Sequence, residues 1–200
     1  MAGFERMTEK GDYKLYVLSL FYGLLCNYYI CFMICIFLVL EFFLTNHKSV
    51  KKFFIDGFRF AGTSLLSAGM AAFLLIPAYL GINTTASATR VFPKSEWYGS
   101  IWEQIKQLFY LTKPIKNQQF DGGLNVYCGT ICFVLIFVYL LNRKIKLWDK
   151  VKHVILLVII FASFNNQLLN YIWHGLHDQY GIPNRFSFLF IFLLLSLIHI

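Results

Sequence analysis

Charge is scarce in this sequence. Of 200 residues, ten are Asp or Glu and eighteen are Lys or Arg, together 14%, against about 25% in soluble domains. So little charge excludes an ordinary water-soluble globule. Four prolines and thirteen glycines exclude collagen-like chains and low-complexity disorder. The five cysteines, Cys26, Cys31, Cys35, Cys128 and Cys132, all fall in apolar segments and form neither a CxxC pair nor a Cys/His cluster of zinc spacing. They read as small buried hydrophobes, and no metal or other cofactor is expected from these residues. What is abundant is apolar: 58% of residues, with twenty-two Phe and a mean hydropathy of +0.60. The expectation is an all-α, polytopic transmembrane helical bundle. The polar stretch from Met1 to Lys14 lacks the apolar core and small-residue cleavage site of a signal peptide, so insertion is expected from internal spans.

The net charge of +8 would raise the question of nucleic acid in a soluble chain. Here the cations lie between apolar runs, where they read as an orientation signal with a secondary attraction to anionic lipid. Nucleic acid is not expected as a partner; membrane lipid is. The first apolar run, Leu15 to Leu44, covers thirty residues, about 45 Å as one helix, whereas the hydrocarbon core is about 30 Å thick. It is either one tilted helix or two short ones folded back at Asn27-Tyr28-Tyr29. Folding back puts segments 1–14, 45–59 and 142–152 on one side with twelve of the eighteen cations; a single helix divides them nine against nine. The positive-inside rule therefore favours the hairpin. The chain then reads as one transmembrane domain, 1–200, with about five complete spans and a truncated one: 13–26, 30–44, 56–80, 124–141, 153–172 and 186–200. Segments 81–123 and 171–185 are expected to be extracytoplasmic. Ser64, Ala68 and Ala72, with Gly62 and Gly69 nearby, would let the third span pack closely, and Pro77 would kink or end it.

Within the long loop 81–123, Ser95 is placed to cap a helix whose Trp97, Ile101, Trp102, Ile105, Leu108 and Phe109 share one broad side. Two readings fit: an amphipathic interfacial helix lying on the membrane, or a helix packed on the protein itself. Asp121-Gly122-Gly123 reads as the turn that re-enters the membrane. In the fifth span, Asn166, Asn170, His174 and His177 would fall within about 80° on a continuing helix at about 100° per residue. Lipid would penalise that face, so it is expected to point into the bundle or a wet cavity; interfacial side chains satisfied by water are the alternative. Gly175 could break the helix and take His177 out of the row. Arg185, at the mouth of the last span, suits bidentate capture of a phosphate or carboxylate as well as snorkelling to lipid phosphate. His174, His177 and Asp178 lack a third strong ligand in register for a metal.

Several stretches carry a family resemblance: Cys26-Asn27-Tyr28-Tyr29 within Leu18 to Leu40, Gly69-Met70-Ala71-Ala72-Phe73-Leu74-Leu75-Ile76-Pro77, Asn125-Val126-Tyr127-Cys128-Gly129, Trp173-His174-Gly175, and Pro183-Asn184-Arg185-Phe186-Ser187-Phe188. In order and spacing they resemble the YfhO family of bacterial membrane proteins over nearly the whole chain. Those proteins are longer and look like GT-C-type glycosyltransferases of the bacterial plasma membrane; some relatives are labelled permeases. The resemblance implies a fragment of a polytopic enzyme that moves a sugar from a polyprenyl-phosphate donor to a cell-envelope polymer such as a teichoic acid. It also implies an acidic general base in a loop upstream of Met1, so no catalytic base is assigned and this polypeptide alone is expected to be inactive. Arg185 with His174 would stabilise the departing phosphate; Asn170 and Trp173 would orient lipid phosphate or sugar. Asn184 stands where an aromatic residue often precedes the Arg, which weakens a sugar-stacking role there. A divalent metal belongs to the full-length enzyme if to anything. A transporter or permease component, with internal repeats and broken helices, and a non-catalytic membrane subunit are the other readings.

Overall fold

The computed structural model describes residues 1–45, 47, 49–82, 84, 92–97, 100–109, 126–176 and 184–197. Among them every regular element is an α-helix, in two compact units, Met1–Thr89 and Arg90–Ile200. The expected turn at Asp121-Gly122-Gly123 and residues His177, Asp178 and Pro183 lie outside the described residues.

The first unit holds α1 (Ala2–Lys10), α2 (Lys14–Leu44), α3 (Val50–Met70) and α4 (Ala72–Ile82). Helix α1 rests on α2 through Phe4 and Met7, which join Tyr16, Leu20, Leu24, Leu38 and Phe42 in one buried cluster. Gly3 permits the approach: a Cβ there would stand 2.8 Å from the Tyr16 backbone nitrogen. Gly11 ends α1 in the left-handed conformation, its N–H donating to Met7 O at 3.1 Å.

Helix α2 is interrupted at Asn27, whose backbone is extended (φ −162°, ψ 95°). The Asn27 Oδ1 accepts from Ile30 N–H at 3.0 Å and so caps the second arm. Beyond that point the chain returns along itself. Cys31 Sγ lies 3.9 Å from Leu20 O, although eleven residues of unbroken helix would separate them by about 16 Å. Arms 14–26 and 28–44 therefore form a hairpin, as the charge distribution implies. They measure about 20 and 25 Å, each short of the roughly 30 Å hydrocarbon core.

Ser49 caps α3, accepting from Lys52 N–H at 3.2 Å. The close-packing face of α3 is built from hydroxyls and alanines rather than from Gly62 and Gly69, around which there is open space. Ser64 Oγ meets Tyr16 OH at 2.7 Å, and Ser67 Oγ donates to Val17 O at 3.2 Å. The third span bends by 81° between α3 and α4. The break falls at buried Ala71 and not at Pro77, which α4 runs through to Ile82. Ala71 serves both helices: its N–H donates to Ser67 O, and its carbonyl accepts from Leu74 and Leu75. Near the α2–α3 connection, buried Asp56 holds His47 Nδ1 at 3.3 Å and Arg59 Nη1 at 3.8 Å, while His47 Nε2–H donates to Phe42 O at 3.2 Å.

The second unit contains α5 (Ile101–Lys106), α6 (Thr130–Leu141), α7 (Leu147–Asn165), α8 (Gln167–Trp173) and α9 (Ser187–Ser196). Leu156, Ile160 and Phe164 recur every four residues along α7 and are buried with Phe186, Leu189, Phe190 and Leu193 at α9. Tyr139 OH bonds His153 Nδ1 at 2.7 Å and ties α6 to α7. Taken as one stretch, Lys14–Leu44 is long and apolar enough to cross a membrane, but the fold-back at Asn27 divides it into two short arms; the bent pair Val50–Met70 and Ala72–Ile82 qualifies if taken as one span. That is fewer than the five spans expected from sequence. Thr130–Leu141 and Ser187–Ser196 are apolar but have only 12 and 10 residues, and Leu147–Asn165 carries Asp149, Lys150 and Lys152 in its first two turns.

Candidate functional site

The polar residues of the fifth apolar run do not continue one helix. Asn166 is extended (φ −113°, ψ 123°), which ends α7 at Asn165, and its Oδ1 caps α8 by accepting from Leu169 N–H at 3.0 Å. An Asn side chain that can bond its own downstream backbone competes with helix continuation. The freed backbone is taken up by segment 92–97: Asn166 pairs with Trp97 in an isolated antiparallel bridge, and Gln167 N–H donates to Glu96 O at 3.0 Å. Asn166 Nδ2 donates to Ser95 Oγ at 3.1 Å, and Gln104 Nε2 donates to buried Asn165 Oδ1. Ser95 therefore bonds a side chain of another element instead of capping a helix. The loop helix begins at Ile101, five residues later than a cap at Ser95 would place it.

Helix α8 carries Asn170 and Trp173, with His174 in the turn that follows it. Asn170 Nδ2 donates to Asn184 Oδ1 across fourteen residues of chain, both side chains being buried. Asn184 holds the left-handed conformation (φ 59°), which Asn tolerates better than most residues, and its carbonyl accepts from Ser187 N–H at 3.0 Å. Its Nδ2 is buried, with no hydrogen-bond partner among the described residues. The clamp fixes the turn that presents Arg185, which is exposed at the head of α9. One residue on, Phe186 lies between two rings: Trp173 stacks on it at 4.9 Å and 11°, Phe164 at 5.0 Å and 19°. His174 meets its edge at 5.6 Å. Trp173 is buried in that stack, so its indole face is occupied by protein.

His174 sits in the turn after α8, just past the span expected at 153–172, and Gly175 (φ 75°) ends the helical path there. His174 Nδ1 lies 2.7 Å from Asn170 O. A carbonyl only accepts, so this nitrogen carries the proton. Burial first, and then the Arg185 cation, push the imidazole down to about 4, against the opposing effect of the bond to Asn170. Near neutral pH the imidazole beside the exposed Arg185 is therefore uncharged. Among the described residues no group of three His, Cys, Asp or Glu side chains gathers as metal ligands do.

The family model described as bacterial membrane protein YfhO matches residues 1–200. The chain belongs to the YfhO family. No curated protein and no solved structure matches it. Within this YfhO chain, Asn170, Trp173, His174 and Arg185 are brought together, while Asn166 is diverted to the break and His177 is outside the described residues. Sequence reasoning missed Asn184, Gln104 and Ser95 as partners of that polar row. A cue existed for Asn184: a short polar residue just before an apolar span, of the type that accepts a left-handed backbone.

Proposed function

We propose that this YfhO-family chain forms part of a membrane glycosyltransferase that draws a sugar from a polyprenyl-phosphate donor at the outer face of the bacterial plasma membrane and passes it to a cell-envelope polymer. The observation that carries this reading is Arg185, held at the head of an apolar helix by the Asn170–Asn184 clamp beside an uncharged, buried His174. In the transfer, an acceptor oxygen bonds to the anomeric carbon as the bond from that carbon to the lipid phosphate breaks, and negative charge develops on the phosphate. Arg185 answers that charge, bidentate with two phosphate oxygens. Asn170 and His174 act by positioning, and Trp173 by packing beneath the turn. The four residues include no carboxylate, so the acceptor's proton goes to a base outside this group.

The test is transfer of labelled sugar by the membrane-embedded full-length protein. Arg185→Ala at matched expression should abolish turnover, and Arg185→Lys should keep part of it, since a point charge lacks the fork geometry. Unchanged turnover in the alanine variant removes the proposed role. A transporter is the second reading, favoured by the fold-back at Asn27 and the 81° bend at Ala71, because discontinuous helices line transport sites. Solute flux in proteoliposomes without sugar transfer would select it.

A further inference from the structure

Helix α5 turns part of its apolar surface outward, which is unusual for an aqueous loop. Its buried residue is polar: Gln104 is 2% exposed, with its amide donating to Asn165. Two of its large apolar residues face outward, Ile101 at 55% and Trp102 at 72% exposed, continued by Trp97 at 66% and Phe92 at 67% on the preceding extended segment, while Ile105 is half-buried and Leu108, just past the helix, is buried. In water, this arrangement would forfeit the burial that holds a short helix in place. The segment is nevertheless pinned at three points along its length, by the Ser95–Asn166 bond, the Trp97–Asn166 bridge with its Glu96–Gln167 hydrogen bond, and the Gln104–Asn165 bond. The outward face is therefore a fixed feature of the unit.

We infer that Phe92, Trp97, Ile101 and Trp102 form a membrane anchor seated at the headgroup–acyl boundary, with the lipid bilayer as its partner. Charge placement sets the depth. Lys94, Glu96, Glu103 and Lys106 are exposed along the same segment, and Glu103 and Lys106 pair with each other. The hydrocarbon centre would penalise them, and bulk water would leave two indoles uncovered. Only the boundary accommodates both, and indole rings favour it. The polar ladder carries this depth to the α7–α8 break, and α8, seven residues long, extends about 10 Å further to the Trp173–His174 turn. The bilayer contact is independent of any sugar chemistry.

Depth-dependent quenching of tryptophan fluorescence tests the anchor. The 200-residue chain is reconstituted in phosphatidylethanolamine–phosphatidylglycerol vesicles whose acyl chains are brominated either near the glycerol or near the methyl end. Single-tryptophan proteins keep Trp97 or Trp102 with the other indoles replaced by Phe; the difference between wild type and Trp102→Phe gives the same reading with Trp173 left in place. At the ~5–10 Å depth of interfacial segments, shallow bromines should remove roughly half of the Trp102 emission and deep bromines much less. Stronger quenching by deep bromines overturns the boundary placement. Quenching by aqueous iodide with no response to bromine overturns the lipid contact, and protection from both shows protein covering the face, which overturns it too.

Discussion

The hairpin at Asn27 can be locked with one substitution. A Cβ built on Gly23 lies 3.2 Å from Cys31 Sγ, close to the roughly 3 Å that an S–S bond of about 2.0 Å requires between one Cβ and the opposite sulfur. Gly23→Cys should therefore form a disulfide with the native Cys31 under mild oxidation. In an unbroken helix the two residues would be about 12 Å apart along the axis, beyond the reach of any disulfide. The chain-entropy account gives a closed loop of this size about 2–3 kcal/mol of stabilisation. The tight 3.2 Å approach works against the reduced variant, so oxidation should raise the melting temperature relative to that variant. Thiol titration should show two fewer reactive groups in the oxidised protein, and mass mapping should place the bond at 23–31. If oxidant leaves both thiols free in a folded protein, the fold-back is wrong. The twelve-to-six division of cations then reverts to nine on each side, and the orientation argument loses its basis.

Removing the clamp with Asn170→Ala strands buried Asn184 without its partner and should cost about 1–3 kcal/mol, read as a lowered melting temperature in detergent; Asn170→Asp tests whether an acceptor without donors suffices, and should not rescue. The buried phenyl of Phe186 touches Phe164, Trp173 and His174, so Phe186→Ala should cost about 3–5 kcal/mol and Phe186→Leu less, with the near-ultraviolet dichroism of the tryptophans changing in both. His174, depressed from 6.5 to about 4, is protonated in the unfolded chain before it is in the folded one. Its contribution is whole above pH 6.5 and is lost as pH falls towards 4, about 3 kcal/mol in all; the stability gap between wild type and His174→Gln should follow that window in acid titrations. Gly3→Ala would press a methyl onto the Tyr16 backbone and should release α1 from α2, visible as faster hydrogen exchange in residues 2–10.

The sequence disclosed long-range organisation better than local breaks. Apolar runs mark α2, α3, α6, α7 and α9 because burial in lipid or in the core selects the same residue types over many positions, and cation placement identified the fold-back that hydropathy alone could not. The breaks at Ala71 and Asn166 were illegible for opposite reasons. At Ala71 the breaking residue is itself a good helix former; Gly69 stays inside α3, and Pro77, which looks like a breaker, is accommodated six residues later. At Asn166 the local pattern supports a continuing helix, and what ends it is a partner about seventy residues away in sequence: Ser95, Glu96 and Trp97 supply the bonds that make an extended residue stable there. The same contacts displaced the start of α5, since Glu96 and Trp97 are held in an extended pairing with Gln167 and Asn166 where a helix capped by Ser95 would have to begin. Periodicity gathered Asn170 with His174, and the family resemblance added Arg185; in the structure the clamp to Asn184, not helical register, brings Arg185 to them. Asn184, unremarkable in the pattern, closes the turn that joins them. A polar row in an apolar run thus pointed to a candidate cluster. Its geometry depended on which of those amides found each other, and that is set by tertiary pairing.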